Sequence, residues 1–321
     1  MSDFWTNKKV LVTGAGGFIG SHLCEKLVHS GSKLKAFTRY NSSNSSGLLE
    51  FVPVEIRDKM EIIPGNVTDE VSLYPVLKDI EIVFHLAAIP SIPYSHLNPR
   101  QVFNVNTYGT MNLLLAASAS GVKKVIIASS AGASEKRPLL SPYIMSKAAM
   151  EKVCLGFHEG LGVNLSILRL LNNYGPRQSA RAIIPTIISQ ALVKNDVHLG
   201  SLDPRMDFNY VDDTINAFLL TAEHQETDGK VLTWGTGITT SIRELAHLIF
   251  SLIDKEGRNI ITDIERIRAS TGPMASLEKE ILHSHKIINY KPRVDLQSGL
   301  KKTIGWISEY INLYKTDRYV I

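Results

Sequence analysis

Cysteine is nearly absent. Cys24 and Cys154 are the only two in 321 residues, and both fall in segments with helical spacing. That excludes a disulfide framework and a cysteine-based metal site, and no metal is expected; two buried thiols in a reducing compartment is the reading. A bias of charge is also missing. Against 31 Asp and Glu stand 35 Lys and Arg, a net +4, with no basic run longer than two. Such scatter gives no support to a nucleic-acid-binding surface. No apolar run approaches the ~18 residues of a membrane span. The N-terminus goes almost directly into KKVLV, without the charged, apolar, small-residue order of a signal peptide. The expectation is a cytoplasmic protein without membrane contact. Internal repeats are lacking, and the one low-complexity patch is NSSNSSG at 41–47.

What is present is a rhythm. Short apolar runs at 8–14, 33–39, 61–65, 79–88, 123–130 and 164–170 alternate with helix-like stretches at 21–31, 101–121 and 141–162. Apolar runs of this length between helices signal a parallel sheet covered on both faces. The right-handed crossover rule makes the fold class α/β, a Rossmann-like doubly wound sheet. After residue 171 the loops lengthen. Helices are expected at 181–196, 242–257 and 298–314, a strand turning into a helix at 208–224, and a strand at 230–237. The domain division is therefore a dinucleotide-binding domain at 1–171, with returning segments at about 208–237. A smaller C-terminal substrate-binding lobe takes 172–207 and 238–321, and a ligand cleft lies between the two.

TGAGGFIGSH follows the first strand and opens the first helix, with Gly14, Gly17 and Gly20 three apart. In that context the glycines mark a phosphate-binding turn: they let backbone approach a pyrophosphate, and the helix N-terminus offers unpaired N–H groups. NAD-binding folds place an acid at the end of the second strand for the ribose 2′-OH. Here Thr38 stands in that place and Arg39 follows, and a guanidinium suits a 2′-phosphate, so the pattern leans to NADP over NAD. The alternative is a solvated Arg39, or one stacked on adenine, with NAD bound.

SPYIMSK places Tyr143 and Lys147 four apart on one helical face. An ammonium beside a phenol favours the phenolate, which makes Tyr143 a base for a sugar hydroxyl. Lys147 would hold the nicotinamide ribose, and Ser130, at the end of the fifth strand, would bond the same hydroxyl.

TGAGGFIGSH, FHLAA, NVNTYGTMNLL, SPYIMSK, LRLLNNYGPRQ and FNYVDD, in this order, resemble the extended short-chain dehydrogenase/reductases, the NAD(P)-dependent epimerases and dehydratases of nucleotide sugars. Within that family the chain is most similar to the N-acetylhexosamine 4,6-dehydratases of the legionaminic-acid type, which make surface-glycan precursors. The resemblance implies Ser130, Tyr143 and Lys147 as the catalytic set. It implies Gly14, Gly17, Phe18, Ile19, Gly20, Thr38, Arg39, Asn41, Asn66, Val67, Leu86, Ala87, Ala88 and Asn106 around the cofactor, together with Tyr143 and Lys147. For the substrate it implies Ser130 and Asn172, with Arg177, Arg181, Ile184 and Pro185 along the nucleotide side and Arg268 at the diphosphate. Asp212 is expected to be structural, and a homodimer through the helices at 101–121 and 141–162 is implied.

Three departures stand out. Met206 occupies the place of a family arginine, with Arg205 one residue earlier; Asn66 replaces an aspartate after Gly65. The third bears on chemistry. Dehydratases follow the catalytic Ser/Thr with an acid–base pair in a longer loop, whereas Ser130 is followed by Ala131 and Gly132, and roughly ten residues are missing. Oxidation at C4 of a UDP- or GDP-linked hexose or N-acetylhexosamine needs only the three catalytic residues, so C4 epimerisation is the leading expectation. The alternatives are a 4,6-dehydratase with Glu135 as a displaced base, a 4-keto-sugar reductase, or a non-catalytic sensor of dinucleotide or nucleotide sugar.

Overall fold

The computed structural model describes residues 3–267 and 277–316. Arg268 lies outside the described residues. The nucleotide half runs β1 (Lys9–Thr13), α1 (Phe18–His29), β2 (Lys33–Arg39), α2 (Val54–Arg57), β3 (Met60–Gly65), α3 (Glu70–Leu77) and β4 (Ile82–His85). It continues through α4 (Ile92–Leu97), α5 (Pro99–Phe103), a π-helical turn (Asn104–Tyr108), α6 (Gly109–Ala119), β5 (Lys124–Ser130), α7 (Pro142–Leu161) and β6 (Leu165–Leu170). Then come β7 (Asn172–Tyr174), α8 (Ile183–Val193), β8 (Asp196–Leu199), β9 (Arg205–Met206), β10 (Phe208–Tyr210), α9 (Val211–Glu223) and β11 (Val231–Trp234). The chain closes with β12 (Thr240–Ser241), α10 (Ile242–Leu252), β13 (Asn259–Thr262), α11 (Glu278–Ile287) and α12 (Leu296–Glu309).

Seven strands form one parallel sheet in the order β11-β6-β5-β4-β1-β2-β3. This is the doubly wound α/β architecture, Rossmann-like, that the apolar runs imply. Alternate side chains of each strand feed opposite faces. Val10, Val12, Ile82, Phe84 and Ile126 enter one core with α1 and α9, whereas Leu11, Val83, Val125 and Ile127 enter another with α3, α6 and α7. The order reverses between β1 and β4, and the crevice beyond their carboxyl ends is where such sheets bind ligands. β11 returns from the second half of the chain to extend the sheet beside β6.

The expected helix at 101–121 is continuous but carries the π-helical turn, a feature that accompanies functional sites. Ser141 caps α7 by accepting from the Ile144 N–H at 3.3 Å, and left-handed Gly162 ends it at φ 67°. Asp212, expected to be structural, lies half-exposed at the start of α9, 4.0 Å from Lys302. The structural carboxylate is its neighbour. Asp213 is buried and accepts from the Tyr290 hydroxyl at 2.5 Å and from the Arg293 and Val294 N–H groups at 3.0 and 2.8 Å. A one-residue step turns a helical side chain by about 100°, so only one of two adjacent aspartates faces inward.

Asp213→Ala is expected to lose about 3 kcal/mol of stability, because three donors would be left without their acceptor. Urea unfolding checks it, as a lower midpoint with an unchanged slope.

Candidate active site

The glycines form a cradle that side chains would fill. Gly14 sits at φ 69°, and a Cβ there would lie 2.7 Å from the Leu86 and Ala87 backbone. A Cβ on Gly20 would lie 2.2 Å from the Gly14 carbonyl oxygen, so the helix packs directly on the loop. Gly17 is the exposed N-cap of α1 and no side chain caps that end. The free N–H groups of this first turn fit a pyrophosphate by geometry and by partial charge. Phe18 and Ile19 supply the turn while their side chains pack on the core.

Around the cradle the expected cofactor residues divide. Arg39 is exposed at the end of β2 while Thr38 is buried. Leu86, Ala87 and Ala88 are half-buried beyond β4, and Asn66 is exposed with its Oδ1 accepting from the Thr68 N–H at 3.1 Å. Three expectations are corrected. The Asn41 side chain closes its own loop, donating to the Ser45 carbonyl at 2.7 Å and accepting from the Ser45 N–H at 3.0 Å. The Val67 side chain is buried against Gly109, leaving only its backbone for a ligand. Asn106 does not line the channel: it is fully buried, accepts from the Ile89 N–H at 2.8 Å and donates to Ser146 Oγ at 2.9 Å. It ties the segment after β4 to the catalytic helix.

A second polar chain lies beneath. His85 is fully buried, with Nδ1 2.7 Å from Thr13 Oγ1 and Nε2 2.9 Å from Thr110 Oγ1. Thr110 donates its hydroxyl proton to the Asn106 carbonyl at 2.7 Å, so it accepts from Nε2–H. Nδ1 is then the acceptor of the Thr13 hydroxyl, which in turn accepts from the Ala87 N–H at 3.3 Å. These directions fix one neutral tautomer. Burial, and Lys147 nearby, lower the His85 pKa to about 3.

Ser130, Tyr143 and Lys147 do converge. Ser130 hydrogen-bonds the Tyr143 phenol and accepts from the Gly132 N–H at 3.2 Å. Burial pushes the phenol up, while Ser130 and the Arg181 guanidinium pull it down. Lys147 is not among the groups that depress the phenol. Its Nζ donates to the Ala128 carbonyl at 2.8 Å, and burial lowers its pKa to about 8. Without bound ligand, Tyr143 is therefore a protonated phenol, and Lys147 holds its charge near neutrality.

The expected substrate residues fare unevenly. Arg181 is half-buried and close enough to act on Tyr143. Asn172, on β7, donates to the Asp207 carbonyl at 3.1 Å. Arg177 turns the other way. At φ 67° its guanidinium pairs with Glu25 and reaches His22 Nδ1 at 3.3 Å, so it latches its loop to α1 and does not flank a nucleotide. Ile184 and Pro185 are buried in the inner face of α8, since helical spacing puts them with Ile187 and Ile188 in the core. Arg205 pairs with Glu244 at 3.1 Å and donates to the Thr239 carbonyl at 2.8 Å, so it does not replace the arginine missing at Met206.

The short loop after Ser130 leads outward. Glu135, its one carboxylate, is three-quarters exposed and pairs with Lys152 at 2.6 Å. Ser134 and Lys136 dock on Glu280 of α11 at 3.2 and 3.0 Å.

A parallel sheet with a glycine cradle at its first turn, and Ser130, Tyr143 and Lys147 on the strand and helix that follow, is the architecture of a dinucleotide-binding fold. Residues 10–235 match the NAD dependent epimerase/dehydratase family, and the chain belongs to it. Among relatives, UDP-glucose 4-epimerase of Mycolicibacterium smegmatis is 30% identical over 92% of this chain and 97% of its own. The dTDP-D-glucose 4,6-dehydratase of Mus musculus is 30% identical over 96% and 91%. The solved UDP-glucuronic acid 4-epimerase of Bacillus cereus, in complex with UDP-glucuronic acid and NAD, superposes with a TM-score of 0.82 at 27% identity, covering 94% of this chain and 99% of that one. The chain is thus an enzyme of the NAD(P)-dependent, nucleotide-sugar epimerase/dehydratase kind. No helix among the described residues is long and apolar enough to cross a membrane.

The residues that sequence reasoning missed are the supports: Thr13, His85 and Thr110, with Glu151 and Arg169. Glu151 had a signal, standing four residues beyond Lys147 on the same helical face.

His85 makes stability depend on pH. Its folded pKa of about 3 lies below the ordinary 6.5, so the unfolded chain binds the proton first. The contribution is complete above about pH 6.5 and is lost as pH falls towards 3. Between pH 7 and 5 it amounts to about 2 kcal/mol. Urea titrations at the two pH values should show that loss in the wild type and a smaller one in His85→Gln.

Proposed function

We propose that this enzyme is a C4 epimerase of a UDP- or GDP-linked hexose or N-acetylhexosamine. The observation that carries the reading is the outward course of the short loop, whose only carboxylate faces solvent beside Lys152. Elimination of water from C6 needs a base at C5, and the loop offers none. In the proposed mechanism Ser130 orients the C4 hydroxyl, and Tyr143 takes its proton as the phenolate that the positive charge of an oxidised nicotinamide would favour. Lys147, which keeps its positive charge near neutrality, would hold the nicotinamide ribose. The dinucleotide, held by the Gly14–Gly20 turn and the backbone after β4, supplies a reversible hydride acceptor for C4. Tyr143 then returns the proton to the oxygen of a 4-keto sugar that has presented its other face.

The dehydratase reading keeps support from the whole-length similarity to a dTDP-D-glucose 4,6-dehydratase. NMR and mass analysis of products from UDP- and GDP-linked glucose and N-acetylglucosamine separate the two. Inverted C4 at unchanged mass is expected, and loss of 18 mass units identifies the dehydratase. Tyr143→Phe should lower turnover by about 10²–10⁴-fold; full activity in that variant would remove Tyr143 from its role.

NADP is the proposed preference, supported by exposed Arg39 and by the absence of an acid at 38–41. Isothermal titration should show Arg39→Ala losing affinity for NADP by roughly tenfold and for NAD hardly at all, a charge-assisted contact contributing about 1.5–3 kcal/mol. An unchanged NADP/NAD ratio rejects the preference. We also propose the division of labour between residues 1–171, with the returning 208–237, and a substrate lobe from 172–207 and 238–321. A cytoplasmic homodimer completes the reading. The exposed Leu115 on α6, and Met145 and Leu161 on α7, support it as large apolar groups on the outer helices.

A further inference from the structure

A chain of charged side chains runs from α11 to the strand that carries Ser130. Glu280 accepts from Ser134 Oγ at 3.2 Å and Thr233 Oγ1 at 2.8 Å, pairs with Lys136 at 3.0 Å, and lies 3.6 Å from Arg169 Nη1. Arg169, on β6, grips Glu151 with both sides of its fork, Nε at 3.0 and 3.1 Å and Nη2 at 2.7 Å. Glu151, 4% exposed on its side chain, accepts from Ser129 Oγ at 2.5 Å. Each end of this chain touches the catalytic set through covalent neighbours. Ser129 precedes Ser130, Glu151 follows Lys147 by one helical turn, and Ser134 and Lys136 belong to the loop that leaves Ser130.

A buried ion pair is weak evidence for stability, because desolvating both charges offsets most of their attraction. This pair has another use within reach. The groups facing Lys147 are Cys154, Glu151 and the Met150 sulfur from its own helix, with Tyr143 one turn earlier, His85 from β4, and the Ala128 carbonyl from β5. Burial keeps Tyr143 and Cys154 protonated and His85 neutral. Glu151 is the charge that these neighbours supply.

We infer that Glu151, Arg169 and Glu280 are positioning residues of the reaction: they fix the place of Ser130 and the charge of Lys147, and make both depend on the seating of α11. The inference rests on the proposed roles of Ser130, Tyr143 and Lys147. Arg169 is shared between a carboxylate on the catalytic helix and one on the C-terminal lobe. A shift of α11 therefore changes how much of the guanidinium Glu151 retains, and with it the field at Lys147.

The test reads Lys147 directly, by heteronuclear NMR titration of its Nζ in the full-length protein, and reads kcat against pH where turnover is found. Glu151→Gln keeps the shape and an acceptor for Ser129. Its Lys147 titration is expected to move from about 8 to lower pH, by roughly one unit. The alkaline limb of kcat should follow it, with KM for the sugar nucleotide within about twofold. Glu280→Gln, at the more exposed end of the chain, should move the titration by a smaller amount at an unchanged Tm. Glu151→Gln combined with Arg169→Met removes the pair without stranding a charge, and is expected to recover any lost Tm while the titration stays displaced. An unmoved Lys147 titration in a folded Glu151→Gln protein overturns the inference, and so does recovery of the wild-type titration in the double variant. Full activity in Tyr143→Phe would instead defeat the catalytic roles beneath it, a distinct result.

Discussion

The close approach of Gly14 to the backbone of Leu86 and Ala87 is the constraint on which the nucleotide half rests. A single added carbon there would meet two backbone atoms at 2.7 Å. Because the two chain segments touch at that point, β1 and β4 end together, Thr13 stands beside His85 in register, and the hydrogen bonds through Thr110 and Asn106 can be drawn. Hydrogen bonds thereby link the cradle to α7. The polar chain starts at the backbone that flanks the phosphate turn, and Asn106 extends it to Ser146, whose hydroxyl donates to the Tyr143 carbonyl at 2.7 Å.

Two electrostatic environments meet in α7. Tyr143, Lys147 and Glu151 are stacked at intervals of four, so a phenol, a cation and an anion share one helical face. Burial disfavours charge on the phenol and on the ammonium alike, raising the pKa of the first and lowering that of the second. Arg169 holds the Glu151 carboxylate with three contacts. The arrangement keeps a cation available in a dry site without a solvent counter-ion.

Much of this was legible in the sequence, for physical reasons. The period of the apolar runs follows from strands buried on both faces, and the glycine spacing follows from backbone contact, so β1 to β6, the long helices and the cradle could be read directly. Ser130, Tyr143 and Lys147 stand out in the sequence through a local spacing, and the structure brings the Ser130 hydroxyl onto the Tyr143 phenol. What could not be read depends on direction across the fold. Arg177 and Arg181 are four residues apart in one loop, and only the left-handed turn at Arg177 decides that one guanidinium packs on α1 while the other reaches the phenol. Asp212 and Asp213 are adjacent, and the phase of α9 alone chooses between them. Ile184 and Pro185 belong to an apolar face whose burial no motif reveals. The short strands β8, β9, β12 and β13 pair across long separations and carry little pattern of their own.

The loop at 131–140 has fixed ends: Ser130 closes a central strand and Ser141 caps a twenty-residue helix. Between them Ala131, Ala133 and Ser134 are buried, while Glu135, Lys136 and residues 138–140 are exposed. A segment with both ends fixed in this way can change length without changing the sheet or the helix. The fold therefore keeps the length of this stretch independent of the elements that carry Ser130 and Tyr143. A scaffold of this design can take an insertion at a single position with Ser130, Tyr143 and Lys147 left on their own strand and helix.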